Sequence, residues 1–139
     1  MPRSIHADGT FWIFLALLIL TLPLNWVLSA LLAAAVHELC HLLMMRFLGI
    51  NVYSLRIRPG GAMLDTGPMS PKEELLSALA GPLGSFFLLA LVRTAPRITL
   101  CALVQGLFNL LPLGDMDGGR IAKSLFHLLR EKALANRGK

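Results

Sequence analysis

Residues 33–45 read Ala33-Ala34-Ala35-Val36-His37-Glu38-Leu39-Cys40-His41-Leu42-Leu43-Met44-Met45, two histidines and a carboxylate inside an apolar run. An ionisable side chain at a helix centre in a bilayer costs roughly 2.5–3.5 kcal/mol on insertion scales, so such a cluster persists only where something compensates for it. On a helix, His37 and His41 are four residues apart and share a face, which lets two imidazole nitrogens chelate one ion. Glu38 stands beside them as a general base toward a metal-bound water. The pattern is His-Glu-x-x-His, filled by residues 37–41. A polar cluster that merely bridges helices is the plain alternative, but three ligand-type groups at chelating spacing fit a metal better.

The surroundings of this stretch are those of a membrane protein. No charged residue occurs from Gly9 to Val36, and the apolar character runs on to Leu48. Of 139 residues, 55% are hydrophobic and 15% charged, against about 25% charged in an ordinary soluble domain. Mean hydropathy is +0.67. A net charge of +5 does not point to nucleic acid, because the basic residues sit at the ends of apolar runs, where the positive-inside rule puts them. Cys40 and Cys101, both in apolar segments, read as free packing thiols.

About 20 residues cross a bilayer, which predicts spans at about 10–22, 25–48, 75–92 and 98–114. The first two are parted by Leu22-Pro23-Leu24-Asn25, and the first is short. A cleaved signal peptide ending at Ala33-Ala34-Ala35 is set aside because the apolar run continues past the alanines. Gly81-Pro82 and Gly84 interrupt the third span, as small residues do where helices approach closely. Between spans two and three, Leu55-Arg56-Ile57-Arg58 alternates like a half-buried strand, Pro59-Gly60-Gly61 signals a turn, and Ala62-Met63-Leu64 returns. A β-hairpin over about 52–65 follows. Ser70-Pro71-Lys72-Glu73 reads as a capping box. Residues 120–134 place Ile121, Leu125, Leu128 and Leu129 on one face and Lys123, Arg130 and Lys132 elsewhere, an amphipathic basic helix.

The expected fold class is therefore an all-α polytopic membrane protein. It has about four transmembrane helices, a short membrane-associated β-hairpin and a C-terminal amphipathic helix, in one membrane-embedded domain over 1–139. All 13 Lys and Arg residues except Arg46, Arg93 and Arg97 fall on the side of the termini and hairpin, which places both termini in the cytoplasm.

Catalytic zinc takes three protein ligands, so a third must come from elsewhere. Phe47 stands where the extended metzincin pattern needs histidine. His6 precedes the first span and His127 lies on the tail helix. Glu73 and Glu74 are accounted for by a helix N-terminus, which leaves Asp65, Asp115 and Asp117. Asp117 is favoured, because it follows a span broken at Pro112 and precedes glycines that allow close backbone approach. Asp115 stays open on chemistry alone.

Four motifs lie in order over nearly the whole chain: His37-Glu38-Leu39-Cys40-His41, Pro59-Gly60-Gly61, Ala80-Gly81-Pro82-Leu83 and Asn109…Pro112…Asp117-Gly118-Gly119. In these the sequence resembles the site-2 protease family of intramembrane zinc metalloproteases, and most of all its compact sporulation-factor branch. The resemblance implies one Zn²⁺ per chain held by His37, His41 and Asp117, with Glu38 catalytic. It implies Asn109 near the active site, and Gly60 and Gly61 in a hairpin that pairs with an unwound substrate. It also implies a transmembrane protein substrate, such as a membrane-tethered transcription factor or anti-sigma factor, cleaved at the cell membrane. A homo-oligomer is left open. Gly114-Asp115 departs from the prolines common before the Asp-Gly pair. By itself the chain is expected to be close to a minimal catalytic core, with neither a PDZ nor a CBS domain. The rival reading is a non-catalytic metal-binding membrane protein, a sensor or permease.

Overall fold

In the computed structural model, residues 4–58, 61–114 and 116–137 are described. The elements run β1 (Ser4–Ala7), α1 (Gly9–Thr21), α2 (Leu24–Phe47), β2 (Val52–Arg58), β3 (Gly61–Thr66), α3 (Pro71–Phe87) with a 3-10 extension over Leu88–Leu91, α4 (Pro96–Asn109) and α5 (Asp117–Arg137). Helices dominate, as expected, and the expected hairpin is joined by one further strand in a small sheet of order β1-β2-β3. The hairpin pairs antiparallel, with Leu55 opposite Leu64, Ile57 opposite Ala62 and Arg58 opposite Gly61. Pro59 and Gly60, read as its turn, lie outside the described residues. The unexpected strand β1 pairs parallel with β2, Ser4 against Ser54 through Ala7 against Ile57. Four residues are too few for alternation to announce a strand, and the pairing partner lies some 50 residues away.

Helix α2 holds the opening stretch and is the longest element. Pro23 starts it, supplying a fixed φ where the helix needs no amide. Gly49 stops it: at φ 74 it turns the chain, while the Ile50 amide donates to Met45 O and the Gly49 amide to Arg46 O. Its 24 residues extend about 36 Å, enough for a hydrocarbon core of about 30 Å. Among the described residues, Leu24–Phe47 and Pro71–Leu91 are the two helices long and apolar enough to cross a membrane; α1, with 13 residues, is shorter. Helix α4, with 14, stops at Asn109 rather than near 114. Pro112 has no amide to donate and disfavours helical backbone at Leu111. Helix α3 opens at Pro71 on the capping box: the Glu73 amide donates to Ser70 Oγ and the Ser70 amide donates to Glu73 Oε2 at 2.7 Å. Helix α5 begins at Asp117, three residues before the expected start.

The packing is that of a lipid-facing bundle. Among the described residues, buried apolar side chains are few and mostly small (Val27, Ala33, Met45, Ala78, Ala80, Ala102), while eight buried side chains are polar, His37, Ser85 and Asp117 included. Large apolar groups point outward instead, Leu20 at 83% exposure and Phe87 at 79%. In water such a surface would aggregate; in lipid it costs nothing, and close packing of small residues holds the helices together. Gly84 illustrates the fit, since a methyl group there would overlap the Cys40 side chain of α2. Helix α1 has no buried residue and is the most loosely held helix of α1–α4.

Candidate metal centre and active site

Helices α2, α3, α4 and α5 meet around His37. His37 and His41 lie one turn apart on α2, 1% and 4% exposed, and Asp117 reaches them from the first residue of α5. His37 Nε2 is 3.1 Å from Asp117 Oδ2, His41 Nε2 is 3.2 Å from the same oxygen, and the two Nε2 atoms are 3.2 Å apart. These three atoms form a nearly equilateral triangle. Bonds of about 2.0–2.1 Å to a tetrahedral ion would set its ligand atoms about 3.3–3.4 Å apart, close to what is found.

The hydrogen-bonding partners decide what these atoms can do. His41 Nδ1 is 2.7 Å from the carbonyl oxygen of Ser77 on α3. A carbonyl only accepts, so Nδ1 carries the proton and the neutral ring turns a bare lone pair on Nε2 inward. His37 Nδ1 lies 2.8 Å from Ser85 Oγ, which can accept in the same way. Two imidazole lone pairs and a carboxylate oxygen then converge on one point. Three acceptors facing one another repel unless a cation sits among them, and each metal-binding imidazole having its far nitrogen tied down is the usual outer support. The donor set fits one tetrahedral divalent ion of the zinc type.

Glycine makes the approach of α3 and α5 possible. A methyl group on Gly81 would overlap both histidine rings, so α3 supports the imidazoles with bare backbone. A methyl group on Gly118 would run into the carbonyl oxygens of Leu110 and Leu111, so the chain can turn tightly into Asp117 only with glycine there.

The other sequence candidates fall as follows. Glu38 lies beside the histidines but outside the ligand group. Its Oε1 accepts a hydrogen bond of 3.2 Å from the Ala62 amide, which faces outward from the edge strand β3. Gly61 is adjacent, its Cβ position 3.6 Å from Glu38 Oε1. Asn109, buried at the end of α4, puts Nδ2 3.0 Å from His37 Nε2. Asp65 pairs opposite Ser54 on β3 and is not among the ligand-forming residues. Gly60 and Asp115 lie outside the described residues. Sequence reasoning missed Ser77, Ser85 and Ala62. The first two had a signal, because Ser77, Gly81 and Ser85 recur every fourth residue along one face of α3. The Ala62 amide had none.

A cleft of about 930 Å³ opens onto His37, Glu38, His41, Asn109 and Asp117. A second, mostly apolar groove of about 990 Å³ runs between α1, α2, the sheet and α4. Glu38, Arg58, Gly61, Ala62 and Asn109 line both, so the groove leads to the carboxylate of Glu38.

No protein-family model matches the chain. Over its whole length it is 30% identical to the zinc metalloprotease MJ0392 of Methanocaldococcus jannaschii, and over 88% of its length it is 31% identical to stage IV sporulation protein FB of Bacillus subtilis. It spans 48% of each of these relatives, about half their length. Among solved structures, the site-2 protease from M. jannaschii superposes with a TM-score of 0.75 at 25% identity, covering 91% of this chain and 69% of that one. In sequence and in fold the chain is similar to the site-2 protease family. The outward apolar surface fits a membrane setting.

Proposed function

We propose that this chain is a site-2 protease, an intramembrane zinc metalloendopeptidase that hydrolyses peptide bonds within or near transmembrane segments of membrane-tethered regulatory proteins. The observation that carries the reading is the convergence of His37 Nε2, His41 Nε2 and Asp117 Oδ2 on one point, beside a carboxylate that is not a ligand. One Zn²⁺ would be held by these three residues. When bound, zinc supplies a Lewis acid that polarises a carbonyl and lowers the pKa of a bound water toward about 7.

The rest of the chemistry belongs to the chain. Glu38 takes the proton of the attacking water on its carboxylate and returns it to the leaving nitrogen. The Ala62 amide fixes the carboxylate toward the cleft meanwhile. Asn109 Nδ2 can donate to the substrate carbonyl as charge develops there. Strand β3, which starts at Gly61, is the outer strand of the sheet, and an unwound substrate segment would add beside it as a further strand, with Gly60 and Gly61 serving that pairing. The apolar groove would admit that segment sideways from lipid. Within this reading α1 to α4 are four membrane-crossing segments of one catalytic core, with both termini on the cytoplasmic side of the cell membrane.

The test compares wild type with Glu38→Gln in one membrane preparation, measuring zinc content and cleavage of a membrane-tethered substrate. Both proteins should carry about one zinc, and only wild type should cleave. Equal function in the two would point to a metal-binding sensor or permease, and a wild type that binds no zinc would end the catalytic reading.

A further inference from the structure

The catalytic cleft is not uniform along its length, and its two ends have opposite character. Toward α1 and α4 it passes into the apolar groove through Glu38, Gly61, Ala62 and Asn109. Toward α5 its wall carries Arg120 and Lys123, with Arg58 at the junction of cleft and groove, against the single acidic side chain Glu74 among the described residues apart from the catalytic and ligand carboxylates. Two of the three cations are already engaged: Arg58 Nε lies 3.1 Å from Asp8 Oδ2, and Arg120 Nε lies 3.8 Å from Glu74 Oε1. Lys123 is exposed and has no ion-pair partner among the described residues. The positive-inside rule accounts for basic residues on this side of the membrane. It does not account for their lining the cleft.

Building on the protease reading, we propose that the substrate is cut where an apolar segment gives way to an acidic one, Lys123 being the residue that selects it. Lys123 lies six residues beyond Asp117, about 9 Å along α5 at 1.5 Å per residue. Lys123 and Asp117 line the same cleft, so a Glu or Asp a few residues from the scissile bond, on the α5 side, comes within reach of the ammonium. Arg120, half-way along and loosely paired, adds to the same field. An uncompensated cation in a walled cleft favours one sign of charge and rejects the other. The apolar groove meanwhile fixes which end of the substrate lies toward lipid.

The experiment uses the full chain, loaded with zinc, in phosphatidylcholine vesicles, which carry no net lipid charge to compete. Three transmembrane peptides differ only in three consecutive residues on the α5 side of the scissile bond: Glu, Gln or Lys. Wild type should cleave the Glu peptide with kcat/KM about five-fold above the Gln peptide, and the Lys peptide below both. Lys123→Glu should reverse the ranking and Lys123→Gln should flatten it, both with unchanged zinc content. Cleavage of all three peptides at one rate by wild type overturns the charge selection while leaving the protease reading intact. So does a ranking that survives Lys123→Glu. Cleavage of none of the three overturns the protease reading, and the selection with it.

Discussion

At the scale of single residues, the centre depends on side chains that are missing as much as on those that are present. His37 and His41 face Asp117 because their outer nitrogens are held by Ser85 Oγ and the Ser77 carbonyl, both on α3. Helix α3 can come close enough to do this because Gly81 presents no Cβ to the rings. Any side chain at position 81 must displace the histidines, and the outer hydrogen bonds would then be lost together. Gly81→Ala should therefore reduce zinc affinity by tenfold or more, in the range seen when such outer supports are removed, while helical content is preserved. Zinc titration followed by a competing chromophoric chelator measures the first and far-ultraviolet circular dichroism the second. A Gly81→Ala protein that binds zinc like wild type would refute the role given to the close α2–α3 approach.

At the scale of elements, what could be read from the sequence divides by range. Local signals were legible: the capping box at Ser70, the end of the second span near residue 48, the hairpin alternation from Leu55 to Leu64 and the four-residue spacing of His37 and His41. Features made by contacts between distant segments were not. Strand β1 exists because β2 offers it a parallel edge, and the Ala62 amide meets Glu38 only once hairpin and helix are packed. Asp117 could be favoured over Asp115 from the glycines after it, yet its position as the first residue of α5 depends on how the chain turns after Asn109. The capping box gives a test confined to one element. Ser70→Ala should cost about 1 kcal/mol of stability, read as a lower midpoint in thermal unfolding in detergent. The Ser70 amide and hydroxyl hold the Glu73 carboxyl below the usual carboxylate range. That contribution is full above the unfolded carboxylate value of about 4.3 and is lost as pH falls through the folded one. The difference between wild type and Ser70→Ala should thus shrink below about pH 4. A difference that stays constant into acid would mean that the Ser70 hydroxyl gives the Glu73 carboxylate no support beyond that of the backbone amide, which the variant keeps.

At the scale of the whole molecule, the metal site is also a joint. Helix α2 would contribute two ligands and α5 the third, and the ion would tie the first turn of α5 to the centre of the bundle. Beyond that turn, the half-buried ion pair of Arg120 with Glu74 is a second attachment of α5 to α3, made loose by its 3.8 Å separation. Helices α2 and α3 hold each other without the ion, through close packing at Gly81 and Gly84. A ligand bound only by the folded state stabilises it by RT ln(1 + [L]/Kd), about 2.7 kcal/mol at one hundred times Kd. Chelation of zinc should therefore lower the thermal midpoint of wild type, and zinc added back in excess should restore it. The loss should also be local. Amide hydrogen exchange should accelerate at 118–121 while the Leu24–Phe47 helix keeps its protection, because three converging acceptors without a cation push Asp117 and the start of α5 away from α2. Asp117→Ala should show fast exchange at 118–121 whether or not zinc is present, since the joint has lost its α5 half. Protection at 118–121 that is indifferent to zinc in wild type would mean that α5 is fixed by its packing on α3 alone, and the metal would then be a reagent without a part in holding the fold.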